Sequence, residues 1–181
     1  MISIIAAYDD DRGIGKDGKL PWRSRYDMAM FKEITMGRAV VMGRKTIDSL
    51  PKKQPLKGRA NIVITRDIAT AIRNYEPYRI PIETPQTSIG FASTLADGVQ
   101  VGRAFGPEVV IIGGAEVYAQ ALPVAERLYL SHIEGRYGCD TFLPEIDLSG
   151  PTWMVARIQT GGGEDGQPKV IFTEYRRQER R

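Results

Sequence analysis

The chain has a single cysteine, Cys139, and a single histidine, His132. That excludes a disulfide framework and any zinc site built on His and Cys, so no metal is expected. Aromatic residues are scarce at 8%, yet no stretch has a disordered composition and no segment repeats at a fixed period. No apolar run approaches the roughly 18 residues that a membrane span needs. The N-terminus, Met1-Ile2-Ser3-Ile4-Ile5-Ala6-Ala7 followed by Asp9-Asp10-Asp11, lacks the basic start and long apolar region of a signal peptide. A soluble, cytoplasmic protein with no membrane partner is expected. Clustered positive charge is also missing. Lys and Arg number 25 against 22 Asp and Glu, a net charge of +3. The last six residues, Arg176 to Arg181, carry that +3 themselves with four Arg and one Glu, so residues 1–175 are neutral. A basic tail over 176–181 remains, but no basic face for nucleic acid.

What is present is an alternation of short β-branched runs with helical patterns over 181 residues at 42% hydrophobic content. This is the mark of one α/β domain spanning 1–181. Strands are expected at Ile2–Tyr8, Ala39–Met42, Asn61–Thr65, Glu108–Ile112 and Leu128–Ile133. Trp153–Gln159 and Lys169–Arg177 read as a terminal antiparallel hairpin. Helices are expected from Ser24 to about Met36, from Gly43 to near Leu50, from Ser93 to about Arg103, and from Gly114 through about Leu122. Asp9–Arg23 and Pro51–Gly58 read as loops. The longer stretch 67–106, with Pro77, Pro81 and Pro85, contains a segment expected to be an inserted surface loop.

Three local patterns carry possible chemistry. On a helix beginning near Ser24, Asp27 shares an apolar stripe with Phe31 and Ile34, within about 60° of arc. A carboxylate so placed suits acid–base or cation recognition chemistry, but Ser24-x-x-Asp27 also fits a capping box. Gly43-Arg44-Lys45-Thr46, between strand and helix, is either a phosphate site or a solvated basic helix start. It is not a Walker A loop, because position 38 is Arg. Gly113-Gly114, after Ile111-Ile112, allows a ligand close to the backbone or forms a plain tight turn; its spacing is not the Rossmann fingerprint. Arg66, just past a strand, is a surface charge or an anion contact. His132, alternating within a strand, reads as structural, and Cys139-Asp140-Thr141 reads as turn chemistry.

Taken in order, these runs are more specific than any one alone. Ile5-Ala6-Ala7, Gly13-Ile14-Gly15, Leu20-Pro21-Trp22, Asp27 with Phe31-Lys32, and Val41 through Thr46 follow one another. Leu56-Lys57-Gly58-Arg59-x-Asn61, Ile112-Gly113-Gly114-Ala115, Leu128 through Ile133 and Asp140-Thr141 complete the set. The chain thereby resembles dihydrofolate reductase nearly throughout, apart from the proline-rich stretch. The resemblance favours a functional Asp27 over a capping one. It implies a central mixed, mostly parallel sheet flanked by helices, and NADPH-dependent reduction of 7,8-dihydrofolate, with hydride to C6 and a proton to N5. By that resemblance Asp27, Trp22, Ser131 and Tyr118 serve catalysis. Ile5, Ala6, Ala7, Met28, Phe31, Lys32, Leu50, Leu56 and Ile112 contact the substrate, and Arg59 pairs with its glutamate α-carboxylate. The cofactor falls to Ala7, Ile14, Gly15, Leu20, Gly43, Arg44, Lys45, Thr46, Ile112 and Gly113, Gly114, Ala115, Glu116, Val117. Thr65 and Arg66 take its 2′-phosphate. The Gly113–Gly114 bond is implied to be cis, the 9–23 loop to be a lid tethered by Asp140, and the protein to be a monomer that takes antifolate inhibitors. Cys139, where a glycine is common, puts the tether in question. The pyrimidine reductase of riboflavin synthesis shares this fold and cofactor but lacks the Pro21-Trp22…Asp27…Phe31-Lys32 combination. A catalytically silent member of the fold would be expected to have lost Asp27.

Overall fold

A computed structural model describes residues 1–75 and 87–178. Strand β1 (Ile2–Tyr8) leads into a loop that holds the short β2 (Gly13–Gly15), and α1 (Arg25–Thr35) follows. Ser24 caps α1 by accepting from Asp27 N at 3.1 Å, and Gly37, at φ +73°, turns the chain away beyond the helix. Next come β3 (Ala39–Gly43), α2 (Arg44–Ser49), β4 (Ala60–Ile64), α3 (Ile68–Tyr75), β5 (Ser88–Ala92) and α4 (Leu95–Gly102). The chain closes with β6 (Val109–Ile111), α5 (Ala115–Ala121), β7 (Arg127–Ile133), β8 (Thr141–Phe142), β9 (Trp153–Gly162) and β10 (Lys169–Arg177).

Eight strands form one sheet in the order β5-β4-β3-β6-β1-β7-β10-β9. Pairing is parallel from β5 to β7, and antiparallel where β10 joins β7 and β9. Helices cover both faces of the parallel part, so its strands are apolar on both sides rather than alternating. In β3, Ala39, Val40, Val41 and Met42 are all fully buried. Val40 and Met42 pack with Met30, Ile34, Ile47 and Tyr75 of α1, α2 and α3. Val41 turns the other way, to Leu95, Val99, Val117 and Ala121 of α4 and α5. Among the described residues no helix is long and apolar enough to cross a membrane.

The expected architecture is present. Within 67–106, α4 is the helix expected there, while α3 and β5, the latter at the edge of the sheet, are additional elements. Pro77, Pro81 and Pro85 lie outside the described residues. Arg176 and Arg177, at the start of the basic tail, close β10 with the bounds expected for that hairpin strand. Arg176 meets Glu174 at 3.2 Å, while Arg177 donates to the Ala125 and Leu122 carbonyls and lies over the Trp153 ring.

Candidate active site

Open parallel sheets gather ligands beyond the carboxyl ends of their strands. Here those ends carry Ala7 and Ser131, which face each other in register, with Gly43, Ile112 and Thr65. Asp27, on the first turn of α1, is 8% exposed and meets the Ser131 hydroxyl across this end. Burial raises its pKa above the ordinary carboxylate value, and the Ser131 hydrogen bond opposes that rise. Only half of the capping box is present: Ser24 accepts from the Asp27 N–H, while the Asp27 carboxyl is turned inward to Ser131. The buried Tyr118 phenol donates to Ile5 O at 2.7 Å, and its pKa is pushed up by burial and then by the Asp27 charge. Trp22 is buried edge-on to Tyr137, and its indole Nε1 has no hydrogen-bond partner among the described residues.

The apolar residues expected around Asp27 are partly assembled. Ile5 and Ile112 are buried in one cluster, against which Phe31, Leu50 and Leu56 pack half-buried. Strand alternation turns Ala6 to the opposite face, and Ala7 packs beside Trp22. Met28 stands 53% exposed and Lys32 is exposed, one residue C-terminal to Phe31. Arg59 is only 7% exposed, yet among the described residues no carboxylate pairs with it. Its guanidinium lies 6.0 Å from the Phe31 ring centroid, and burial lowers its pKa. Nε and Nη2 donate to Thr35 Oγ1 at 3.1 and 3.0 Å, and Nη1 donates to the Lys57 carbonyl at 2.8 Å. One N–H on each of Nη1 and Nη2 is left over.

The glycines of β3 and of the β6–α5 turn form a second feature. Gly43 N donates to Gly113 O at 2.8 Å, and the Gly113–Gly114 bond is cis, as the resemblance implied. A Cβ on Gly43 would sit 3.4 Å from Val117, one on Gly114 would sit 3.5 Å from Thr46 Oγ1, and one on Gly113 would meet the Tyr118 ring at 3.2 Å. This is a strip of bare backbone bordered by a hydroxyl. Ala115 and the exposed Glu116 begin α5 beside it. The exposed Lys45 lies next to Arg44, which pairs with Asp48 at 2.7 Å. Asp48 also receives the Tyr75 hydroxyl at 3.3 Å, so the unexpected α3 borders α2. Thr65 is buried and Arg66 exposed at the end of β4.

Two of the points that fasten the 9–23 loop centre on Asp140 and Asp9. Asp140 accepts from Asp17 N at 2.7 Å and donates its own N–H to Gly15 O at 3.0 Å, within the β2–β8 pairing. Cys139 does not prevent this, because Gly13 faces it; a Cβ on Gly13 would lie 2.4 Å from Sγ. Ile14 and Gly15 are half-buried on this loop, and Leu20 is 52% exposed. The second point was not foreseen from the sequence. Asp9, 1% exposed, accepts from Asp11 N (3.0 Å), Gly13 N (2.7 Å), Tyr137 N (3.0 Å) and the Cys139 thiol (3.5 Å). Burial acts to raise its pKa, but these donors outweigh it and the net shift is downward. His132, expected to be structural, reaches Asp10 Oδ1 on the same loop at 2.9 Å. Asp9 and Thr35 both act through residues distant in sequence, which local spacing does not reveal; only the acidic run 9–11 drew notice.

The dihydrofolate reductase family model matches residues 1–177. The dihydrofolate reductase of Bacillus subtilis is 35% identical over 169 residues, covering 93% of this chain and 89% of that protein. That of Neisseria gonorrhoeae is 39% identical over 146 residues, covering 81% and 80%. The bifunctional dihydrofolate reductase-thymidylate synthase of Glycine max is 37% identical over 81% of this chain, which spans only 28% of that longer protein. Among solved structures, Enterococcus faecalis dihydrofolate reductase complexed with NADP(H) and RAB-propyl superposes with a TM-score of 0.78 at 27% identity. That match covers 99% of this chain and 97% of the other.

Proposed function

The chain belongs to the dihydrofolate reductase family, and on that premise we propose that it reduces 7,8-dihydrofolate to tetrahydrofolate with NADPH. The observation that carries the reading is the buried Asp27 carboxyl facing Ser131 at the carboxyl end of the sheet. Such a group pairs with the N3 and 2-amino edge of a pterin as a charge-assisted fork, which selects both orientation and protonation state. Ser131 buttresses the carboxyl and the amino group. The unpartnered Trp22 N–H is suited to fix a water, which passes the proton to N5. Ile5, Ala7, Phe31, Leu50 and Ile112 form the apolar walls with Met28, and Leu56 meets the benzoyl ring.

The residues present fit the cofactor. The bare backbone at Gly43, Gly113 and Gly114 admits a ligand at close range, and a Cβ would fill part of that strip. Arg44, Lys45 and Thr46 surround it with two cations and a hydroxyl, suited to phosphates, while Ala7, Ile14 and Gly15 border the nicotinamide side. When bound, NADPH supplies the hydride. The chain's own part is to hold the two ligands together and, with the 9–23 lid, to exclude water. Loss of NADPH absorbance on adding dihydrofolate tests the whole reading; a folded protein without such turnover refutes it. The reading also includes one cytoplasmic domain acting as a monomer without a metal, able to take antifolates in the same pocket. Sedimentation checks the monomer.

The free N–H groups of Arg59, one on each Nη, suit the two oxygens of the substrate's glutamate α-carboxylate. Arg59→Ala is expected to raise KM for dihydrofolate roughly tenfold or more. Dihydropteroate, which lacks the glutamate, should be nearly unaffected. Equal losses for both would show that Arg59 does not read the tail.

Arg66, at the carboxyl end of β4 beside Thr65, is placed to read the 2′-phosphate that distinguishes NADPH from NADH. Arg44 is near enough in the fold to share the load. The Arg44→Ala, Arg66→Ala double variant is expected to lower the preference for NADPH roughly tenfold, less at high salt. KM for dihydrofolate should change little. An unchanged NADPH-to-NADH ratio at fixed ionic strength would move the phosphate site elsewhere.

A further inference from the structure

Thr35, the last residue of α1, is fully buried and belongs to none of the roles above. Its hydroxyl donates to Phe31 O at 2.7 Å, which commits its one hydrogen. Both lone pairs are then turned to Arg59, and Nε and Nη2 share them. The opposite edge of the guanidinium is held by the Lys57 carbonyl. That carbonyl sits in a segment pinned by the buried Asn61, whose Oδ1 accepts from Leu56 N and whose Nδ2 donates to Leu56 O, Arg59 O and Ser88 O, all within 3.1 Å. With the guanidinium plane held at both sides, the direction of its remaining N–H groups is fixed.

We infer that Thr35 is the positioning residue that aims the free fork of Arg59, and that α1 is therefore a gauge of substrate length. The inference rests on reading Arg59 as the carboxylate grip. Asp27 lies in the first turn of the helix and Thr35 ends it, eight residues apart, which is about 12 Å along the axis at helical rise. A rigid helix thus sets how far the acid that holds the pterin lies from the group that aims the grip on the tail. A lysine at 59 could not be aimed in this way, because an ammonium has no planar edge for Thr35 to hold.

The test compares Thr35→Val, which keeps the shape and loses the hydroxyl, with Thr35→Ser, which keeps the hydroxyl. Each is assayed with dihydrofolate, with dihydropteroate and with varied NADPH. Thr35→Val is expected to raise KM for dihydrofolate roughly tenfold with kcat nearly unchanged, the pattern of lost ground-state binding. KM for dihydropteroate and for NADPH should stay within about twofold, and Thr35→Ser should restore dihydrofolate binding. Equal losses for both folate substrates, or a serine variant no better than the valine one, overturn the proposal. Thr35→Ala is made alongside; if no hydroxyl-free variant folds, Thr35 serves the fold and the proposal is likewise overturned. If Arg59→Ala separates the two substrates and Thr35→Val does not, the grip stands and only its aiming by Thr35 falls. If Arg59→Ala fails to separate them, the grip itself is refuted.

Discussion

An Asp27→Asn protein is expected to reduce dihydrofolate at least about 100-fold more slowly at pH 7 while melting no lower than the wild type. The activity loss follows from the removal of both the charged fork to the pterin and the bias toward a protonated substrate. The stability result follows from the raised pKa of Asp27. Between the ordinary carboxylate pKa, about 3.9, and its higher value in the fold, the folded protein holds a proton that the unfolded chain has released. Stability therefore falls as pH rises through that window, and stays reduced at neutral pH. Asparagine has the same shape and cannot ionise, so it escapes the penalty. Thermal melts at pH 7 together with kcat/KM settle both halves. Near-normal kcat/KM at pH 7 would remove Asp27 from its role, and a markedly lower melting point would assign it to the fold instead.

Replacing Asp9 should do the opposite, harming stability first. Asp9→Ala leaves three backbone N–H groups without their acceptor at the root of the 9–23 loop. A cost of about 3 kcal/mol is expected, which is roughly 6–12 °C in Tm for a chain of this size. The pH dependence is also reversed. Because the folded pKa of Asp9 is lowered, its contribution is fully present above about pH 4. It is lost as pH falls through the lower folded value, where the carboxylate protonates. Wild type should therefore lose stability on acidification more steeply than Asp9→Asn, which has no such charge to lose. Melts between about pH 3 and 7 showing parallel curves for the two proteins would refute this account.

Where a short apolar run is buried on both faces, as at β1, β3 and β7, sequence pattern and structure agree nearly to the residue. The Asp27 helix was legible because its cap, its apolar stripe and its end signal are all local. The middle of the chain was not. Ile68–Tyr75 contains two β-branched isoleucines and a threonine, weak helix formers, and its start signal is a single Asp67 carboxylate accepting from Thr70 N. β5 has a glycine at its centre and gains its strand form from pairing with β4, a contact no local window contains. The site divides in the same way. Gly43, Gly113 and Gly114 could be marked as candidates because glycine is conspicuous. The Thr35–Arg59 and Asp9–Tyr137 contacts join residues 24 and 128 apart, and nothing in the local pattern announces them.

The place of β1 in the sheet has a consequence for the chain as it is made. It is made well before both its neighbours, β6 and β7, which come from residues 109–133. At about 5–20 residues per second, β1 waits several seconds or more on the ribosome with neither of its final neighbours to pair with. During that interval Ile2, Ile4 and Ile5 form an unpaired apolar edge, which is a target for chaperones and a risk for aggregation. The β3–β4 pair, contiguous in sequence apart from one short helix and a loop, can form meanwhile. The catalytic end of the sheet, which needs Ala7 beside Ser131, is among the last parts to be assembled.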